Sequence, residues 1–221
     1  MSRNGVFITI EGPDGAGKST VIEELIKKMS HELNVDIVTT REPGGIPISE
    51  KIREVILNPT HTMMDERTEA LLYAAARRQH LVEKILPALE TNHLVVCDRF
   101  IDSSIAYQGA ARGIGVEEVR QINDFAIEGN YPDLTLYLDV EASVGLSRIN
   151  KGRSEAELDR LDKESLDFHE QVRLAYLTLL ELEPNRIKKI DASQSIENVV
   201  DTCYNLIKET FSSMFIKSSK G

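Results

Sequence analysis

The chain has 221 residues, 41% of them hydrophobic and 28% charged, which suits one globular domain with a substantial core and excludes disorder, collagen and a disulfide-built miniprotein. Its 36 acidic against 26 basic residues give a net charge of -10, which argues against a nucleic-acid partner, so any anionic ligand needs a local basic site. No apolar run approaches the ~20 residues of a membrane span and the N-terminus lacks a signal-peptide apolar region, predicting a cytoplasmic protein with no membrane partner. Cys97 and Cys203 have no metal-ligand spacing and read as small buried hydrophobes.

Gly5 to Glu11 (GVFITIE) is β-branched and aromatic and predicts a buried strand. After a glycine-rich stretch, apolar Val21, Ile22, Leu25, Ile26 and Met29 recur at helical spacing, predicting a helix from Lys18 to about Leu33, with Val35 to Thr40 as a second strand. Residues 41–47 (REPGGIP) must form a loop, because two prolines and two glycines block helix and ladder alike. A short helix over Ile48–Leu57 and a long helical pattern from Asp65 to about Glu90 precede a third strand, Leu94–Asp98. Leu134–Asp139 and Arg186–Asp191 are the fourth and fifth strands, with helical patterns at about 116–129, 141–149, 161–183 and 195–214. Alternating strands and helices predict a parallel sheet covered on both faces, with ligands bound beyond the strands' carboxyl ends.

Gly12-Pro13-Asp14-Gly15-Ala16-Gly17-Lys18-Ser19 matches G-x-x-x-x-G-K-S/T and lies between a predicted strand and a predicted helix, where a phosphate cradle belongs. Backbone N–H groups and the helix N-terminus surround phosphate oxygens, Lys18 neutralises the terminal phosphates, and Ser19 can ligate Mg²⁺. The motif specifies a nucleotide but not a reaction. A guanine-reading switch would carry N-K-x-D, and the nearest string, Asn150-Lys151-Gly152-Arg153, ends in the wrong charge. Asp98-Arg99-Phe100 after the third strand and Arg41-Glu42-Pro43-Gly44-Gly45 after the second bring two arginines to the same sheet edge. That convergence suggests a second anionic ligand beside the triphosphate, since Arg grips phosphate bidentately and stays charged.

Taken in order, Gly12 through Thr20, Thr40 to Gly45, Asp98-Arg99-Phe100, Ser103 to Gly109 (SSIAYQG) and Tyr131 to Asp139 (YPDLTLYLD) resemble the bacterial thymidylate kinases, over about residues 5–210. The resemblance implies a three-layer α/β/α P-loop fold with a five-stranded parallel sheet, one kinase domain spanning 1–221 and a short lid at about 150–160. It also implies ATP as phosphoryl donor, Mg²⁺, dTMP as acceptor and a homodimer built through helices that include the long one after Asp65.

The resemblance further implies residue roles. Gly12, Pro13, Asp14, Gly15, Ala16, Gly17, Lys18, Ser19 and Thr20 bind the donor phosphates, with Asp14 also contacting the acceptor's sugar or its metal. Arg41, Glu42 and Pro43 border the acceptor, and Arg41 and Arg99 hold its phosphate. Tyr73 stacks on the thymine, Arg77 lies within reach of the base, Ser104 and Gln108 read the pyrimidine edge, and Tyr107 packs near the sugar. Asp98 organises Mg²⁺ through water or fixes Arg99. Family members with glycine at position 15 draw an extra arginine from the lid, here Arg153 and Arg160, with Arg148 assigned to the preceding helix. Asp191-Ala192-Ser193-Gln194 resembles the adenine-contacting turn. Phe100 departs from the family's usual Tyr or His, so a polar role there is not carried over.

Independently of the resemblance, Tyr73 and Arg77 are four apart and share one helical face. Gln108 carries a donor and an acceptor on one amide, matching N3 and O4 of thymine. A phosphate oxygen as acceptor is largely ionised at neutral pH, so no general base is required and catalysis falls to cations that bring two polyanions together.

Overall fold

The structure, a computed structural model, describes residues 4–152, 159–162 and 164–216. Five strands, β1 (Val6–Glu11), β2 (Ile37–Arg41), β3 (Leu94–Asp98), β4 (Leu134–Asp139) and β5 (Ile187–Asp191), form one sheet in the order β2-β3-β1-β4-β5. All four pairings are parallel. Because side chains alternate across a strand, β1 sends Ile8 and Ile10 into one core and Phe7 into another.

The first core is closed by α1 (Lys18–Met29) and α9 (Ile196–Thr210), through Val21, Leu25, Cys203 and Ile207. The second is closed by helical segments following β2 and β3 and by α8 (Leu166–Leu182), through Leu81, Ile105, Val172 and Tyr176. Helices on both faces of a parallel sheet give the three-layer arrangement expected from the strand–helix alternation. Register then lines up the carboxyl ends: Asp98 pairs with Ile10 of β1 on one side and with Arg41 of β2 on the other. The two arginine-bearing turns therefore emerge beside the cradle.

Several boundaries differ from the sequence reading. Helix α1 stops at Met29 because Leu33, 8% exposed, turns into the core and bridges Phe215. The pattern from Asp65 to Glu90 divides into α3 (Glu66–His80), a π-helical turn over Leu81–Ile85 and α4 (Leu86–Glu90). Pro87 has no N–H and crowds the preceding turn, which is the usual setting for such a bulge. Helix α8 begins at Leu166 rather than near 161, where Ser165 caps it by accepting from Phe168 N at 3.2 Å.

A helical element absent from the sequence reading follows β3: α5 (Ile101–Ser104) runs into a π-helical stretch over Ile105–Ala111. The remaining helices are α2 (Pro47–Leu57), α6 (Val116–Ile127) and α7 (Ala142–Gly152), and a 3-10 turn over Ser212–Met214 replaces the last residues of the expected final helix.

Candidate active site

Between β1 and α1, Gly12 and Gly15 have φ of +147° and +76°. A Cβ on Gly12 would stand 2.5 Å from Leu138 O, and one on Gly15 only 2.1 Å from Gly145 O, so main chain from β4 and α7 closes on both. Lys18 folds back over the loop and donates to Gly12 O at 3.1 Å and Pro13 O at 3.0 Å. Burial, then the nearby Arg99 guanidinium, pull its ammonium down to about 8.

Arg99 adopts φ +66° at the end of β3 and turns its guanidinium over the cradle. It donates to Gly12 O at 2.9 Å, Ser103 Oγ at 3.1 Å, Asp14 Oδ1 at 2.5 Å and Tyr107 Oη at 3.2 Å. Tyr107 Oη in turn donates to Asp14 Oδ2 at 2.7 Å. Burial opposes ionisation of Asp14, but Arg99, Lys18 and Tyr107 outweigh it and hold the carboxyl well below the usual range.

Beneath this layer sits a residue the sequence reading passed over, the fully buried Glu11. Its Oε1 accepts from Phe100 N at 2.7 Å, and its Oε2 accepts from Ser103 Oγ at 2.6 Å and Tyr176 Oη at 2.7 Å. Burial, then the Asp102 carboxylate, raise its carboxyl to about 7. A carboxylate at the end of an otherwise apolar strand was the available signal.

Asp98 approaches Ser19, whose Oγ lies 3.3 Å from Asp98 Oδ2, while Asp98 Oδ1 is buried without a hydrogen-bond partner. The orphaned carboxylate oxygen beside a hydroxyl fits Mg²⁺ or its water shell. No cluster of three or more His, Cys, Asp or Glu that could hold a metal occurs among the described residues.

The side of the cleft across from the cradle is assembled from α3, the β2 turn and the π-helical stretch. Arg77, 2% exposed, donates from Nε to Glu42 Oε2 at 2.8 Å, from Nη1 to Ser104 Oγ at 2.9 Å and to Asn123 Oδ1, and from Nη2 to Phe100 O at 2.9 Å. Glu42 Oε1 meets His80 Nδ1 at 2.8 Å, so Glu42 anchors the β2 turn to α3 through two partners. Arg41 is more exposed and pairs with Glu50 Oε1 at 2.8 Å. Phe100 stays apolar in use: it packs edge-on to Phe7 at 4.9 Å, and the Arg77 guanidinium lies 5.2 Å from its ring centre.

Gln108, 1% exposed, donates from Nε2 to Glu69 Oε1 at 2.8 Å. Glu69 also meets Arg112 Nε at 3.5 Å and Arg160 Nη2. The sequence reading stopped at Tyr73 and Arg77, yet Glu69 lies four residues earlier on the same face, and extending that spacing would have found it. Arg53, also passed over, donates to Pro43 O at 3.0 Å on the cleft wall.

Lys18, Ser19, Asp14, Arg41, Glu42, Pro43, Tyr73, Arg77, Asp98, Arg99, Ser104, Tyr107 and Gln108 all line one cleft of about 480 Å³. Of the arginines proposed for the lid, Arg153 lies outside the described residues. Arg160 is tied to Glu69 and to Ile56 O at 3.0 Å, across the cleft from the cradle. Arg148, on α7 as assigned, reaches the cradle itself, with Nη1 3.4 Å from Gly15 O and Nη2 3.2 Å from Ala192 O. The Asp191–Gln194 turn thus borders the cradle through Ala192.

A strand–cradle–helix unit, with a second cationic cluster across one cleft at the carboxyl edge of a parallel sheet, defines a nucleotide-dependent phosphotransferase of the P-loop class. The thymidylate kinase family model matches residues 10–203. The chain is 61% identical to the thymidylate kinase of Enterococcus faecalis over 96% of this chain and 99% of that one, and 59% identical to that of Latilactobacillus sakei over 93% and 95%. Its fold matches the crystal structure of thymidylate kinase from Ehrlichia chaffeensis with a TM-score of 0.74 and 32% identity, over 93% of this chain and 99% of that chain. The chain belongs to the thymidylate kinase family.

Proposed function

We propose that this protein transfers the γ-phosphoryl group of ATP to dTMP with Mg²⁺, giving dTDP and ADP for DNA precursor supply, and that residues 1–221 act as one cytoplasmic kinase domain, paired as a homodimer. The observation that carries this reading is the single cleft in which the cradle residues, Arg99, Tyr73 and Gln108 face a common space of about 480 Å³.

Lys18 and the cradle N–H groups hold the β- and γ-phosphates; when they do, Lys18 exchanges the carbonyls of Gly12 and Pro13 for phosphate oxygens. Bound Mg²⁺, held through Ser19 and Asp98, would supply charge neutralisation between donor phosphates. Arg99 and Arg41 orient the acceptor phosphate, and Asp14, kept ionised, accepts from the deoxyribose hydroxyl while restraining Arg99. Tyr107 fills the space beside the sugar's 2′ position, Tyr73 stacks on the base, and Gln108 faces its N3–O4 edge. No residue acts as general base, because the acceptor oxygen arrives ionised. Position 15 has no room for an in-cradle arginine, so Arg148 on α7 supplies the additional cation at the transferring group.

The test is ADP release with Mg²⁺ and ATP, offering dTMP, dUMP, UMP, CMP, AMP and GMP separately beside a no-acceptor control. Turnover confined largely to dTMP is expected. Preference for another monophosphate overturns the base pocket, and turnover without acceptor overturns the transfer reaction.

A further inference from the structure

A primary amide presents an oxygen and, beside it, one N–H along the same edge, while its second N–H points away. In Gln108 the Nε2 group is 2.8 Å from Glu69 Oε1, and both side chains are 1% exposed. Glu69 is fixed in turn by Arg112 and Arg160 and offers only acceptor oxygens to Gln108. Rotating the Gln108 amide by half a turn would set its oxygen against a carboxylate inside the protein, which the electrostatics forbid. One N–H is therefore committed to Glu69, and the oxygen with the other N–H is left to the cleft that Gln108 lines.

That orientation is informative about bases. Thymine and uracil carry a donor at N3 and an acceptor at O4, matching an amide oxygen beside an N–H. Cytosine carries the reverse pair, an acceptor at N3 and a donor at C4, and would need the rotated amide. Building on the reading that Gln108 faces the base edge, we propose that Glu69 is a positioning residue for pyrimidine selectivity: it never touches substrate, but locks the Gln108 amide in the orientation that accepts thymine and rejects cytosine.

The experiment compares kcat/KM for dTMP and dCMP in the full-length wild type, Glu69→Gln, Gln108→Ala and the double variant, with KM for ATP measured alongside. A glutamine at 69 can donate as well as accept, so both Gln108 orientations become accessible. The dTMP:dCMP ratio should fall by roughly tenfold to a hundredfold, the worth of a good bidentate base contact, while KM for ATP stays unchanged. In the Gln108→Ala background the same substitution should leave the ratio where it is.

Equal losses for both substrates, no change in the ratio, or a fall of the same size without Gln108 would overturn the proposal. A wild type that does not prefer dTMP would instead overturn the underlying reading of the site. Should Glu69→Gln fail to fold, the side-chain amide protons of Gln108 decide in the wild type by NMR: on adding dTMP only the proton facing the cleft should shift. A shift of the Glu69-bonded proton, with loss of its protection, would overturn the proposal.

Discussion

At the cradle, Lys18 is held by Gly12 O and Pro13 O alone and Arg99 chiefly by Gly12 O and Asp14, with Ser103 and Tyr107 beside it, whereas Arg77 and Gln108 across the cleft are held by Glu42, Ser104, Asn123 and Glu69 from four separate stretches of chain. On the proposed function, cations of the first kind exchange partners for phosphate and groups of the second kind keep theirs. The cradle end is then a set of reassignable charges, and the far end a preorganised surface. Substitutions should divide accordingly, into losses of rate at one end and losses of stability or selectivity at the other.

The sharpest way to break this division is Lys18→Met. The buried ammonium has its pKa pulled down to about 8 from 10.5, so the unfolded chain binds more protons than the folded one in that window. The stability this group contributes is present above pH 10.5 and lost as pH falls through 8, leaving an uncompensated cost at neutral pH. Lys18→Met should lower kcat on the order of a thousandfold while thermal unfolding at pH 7 stays put or moves upward. A variant that loses rate and stability together would erase the distinction. At the other end, Arg77→Met leaves Glu42 buried without its guanidinium and should cost about 3–5 kcal/mol, a fall in Tm of roughly 6–20 °C by calorimetry.

What was legible in the sequence follows the same divide. The cradle is local, eight consecutive residues matching one motif, and the strands are continuous apolar runs because both faces of a parallel sheet are buried. The base end is neither. Gln108 stands on a π-helical stretch, Ile105–Ala111, where hydrogen bonds reach five residues back and the 3.6-residue periodicity has nothing to match. Glu69 sits in the first turn of α3, where an acidic residue is ordinary chemistry for a helix N-terminus and draws no notice. Glu11 closes an apolar strand and announces a buried charge, but its partners Phe100, Ser103 and Tyr176 lie 89, 92 and 165 positions away in sequence.

Arg148 on α7 and the lid residue Arg160 refine the comparison with a smaller effect. Arg148 touches the cradle through Gly15 O, and Arg160 reaches Glu69 on the acceptor side. Arg148→Ala should lower kcat roughly tenfold with little change in KM for dTMP, and Arg160→Ala should mainly raise KM for dTMP, since a charge-assisted contact is worth about 1.5–3 kcal/mol. Steady-state kinetics in both substrates separate the two, and a reversed pattern would move Arg160 to the transferring phosphate.

The smallest effect concerns the floor beneath Arg99. Burial, then the Asp102 carboxylate, raise the Glu11 carboxyl from 4.5 to about 7 in the folded protein. Between these values the folded state binds a proton the unfolded chain releases, so the stability from this group is fully present below pH 4.5 and lost as pH rises through 7. Glu11→Gln mimics the protonated carboxyl and removes that slope. Denaturant unfolding of wild type and variant should therefore give a stability gap that shifts in the variant's favour by on the order of 1–3 kcal/mol from pH 4.5 to 7. A pH-independent gap would mean that Glu11 stays ionised throughout. The residue under Arg99 would then be a fixed negative charge that accepts from Ser103 and Tyr176 and steadies the guanidinium electrostatically.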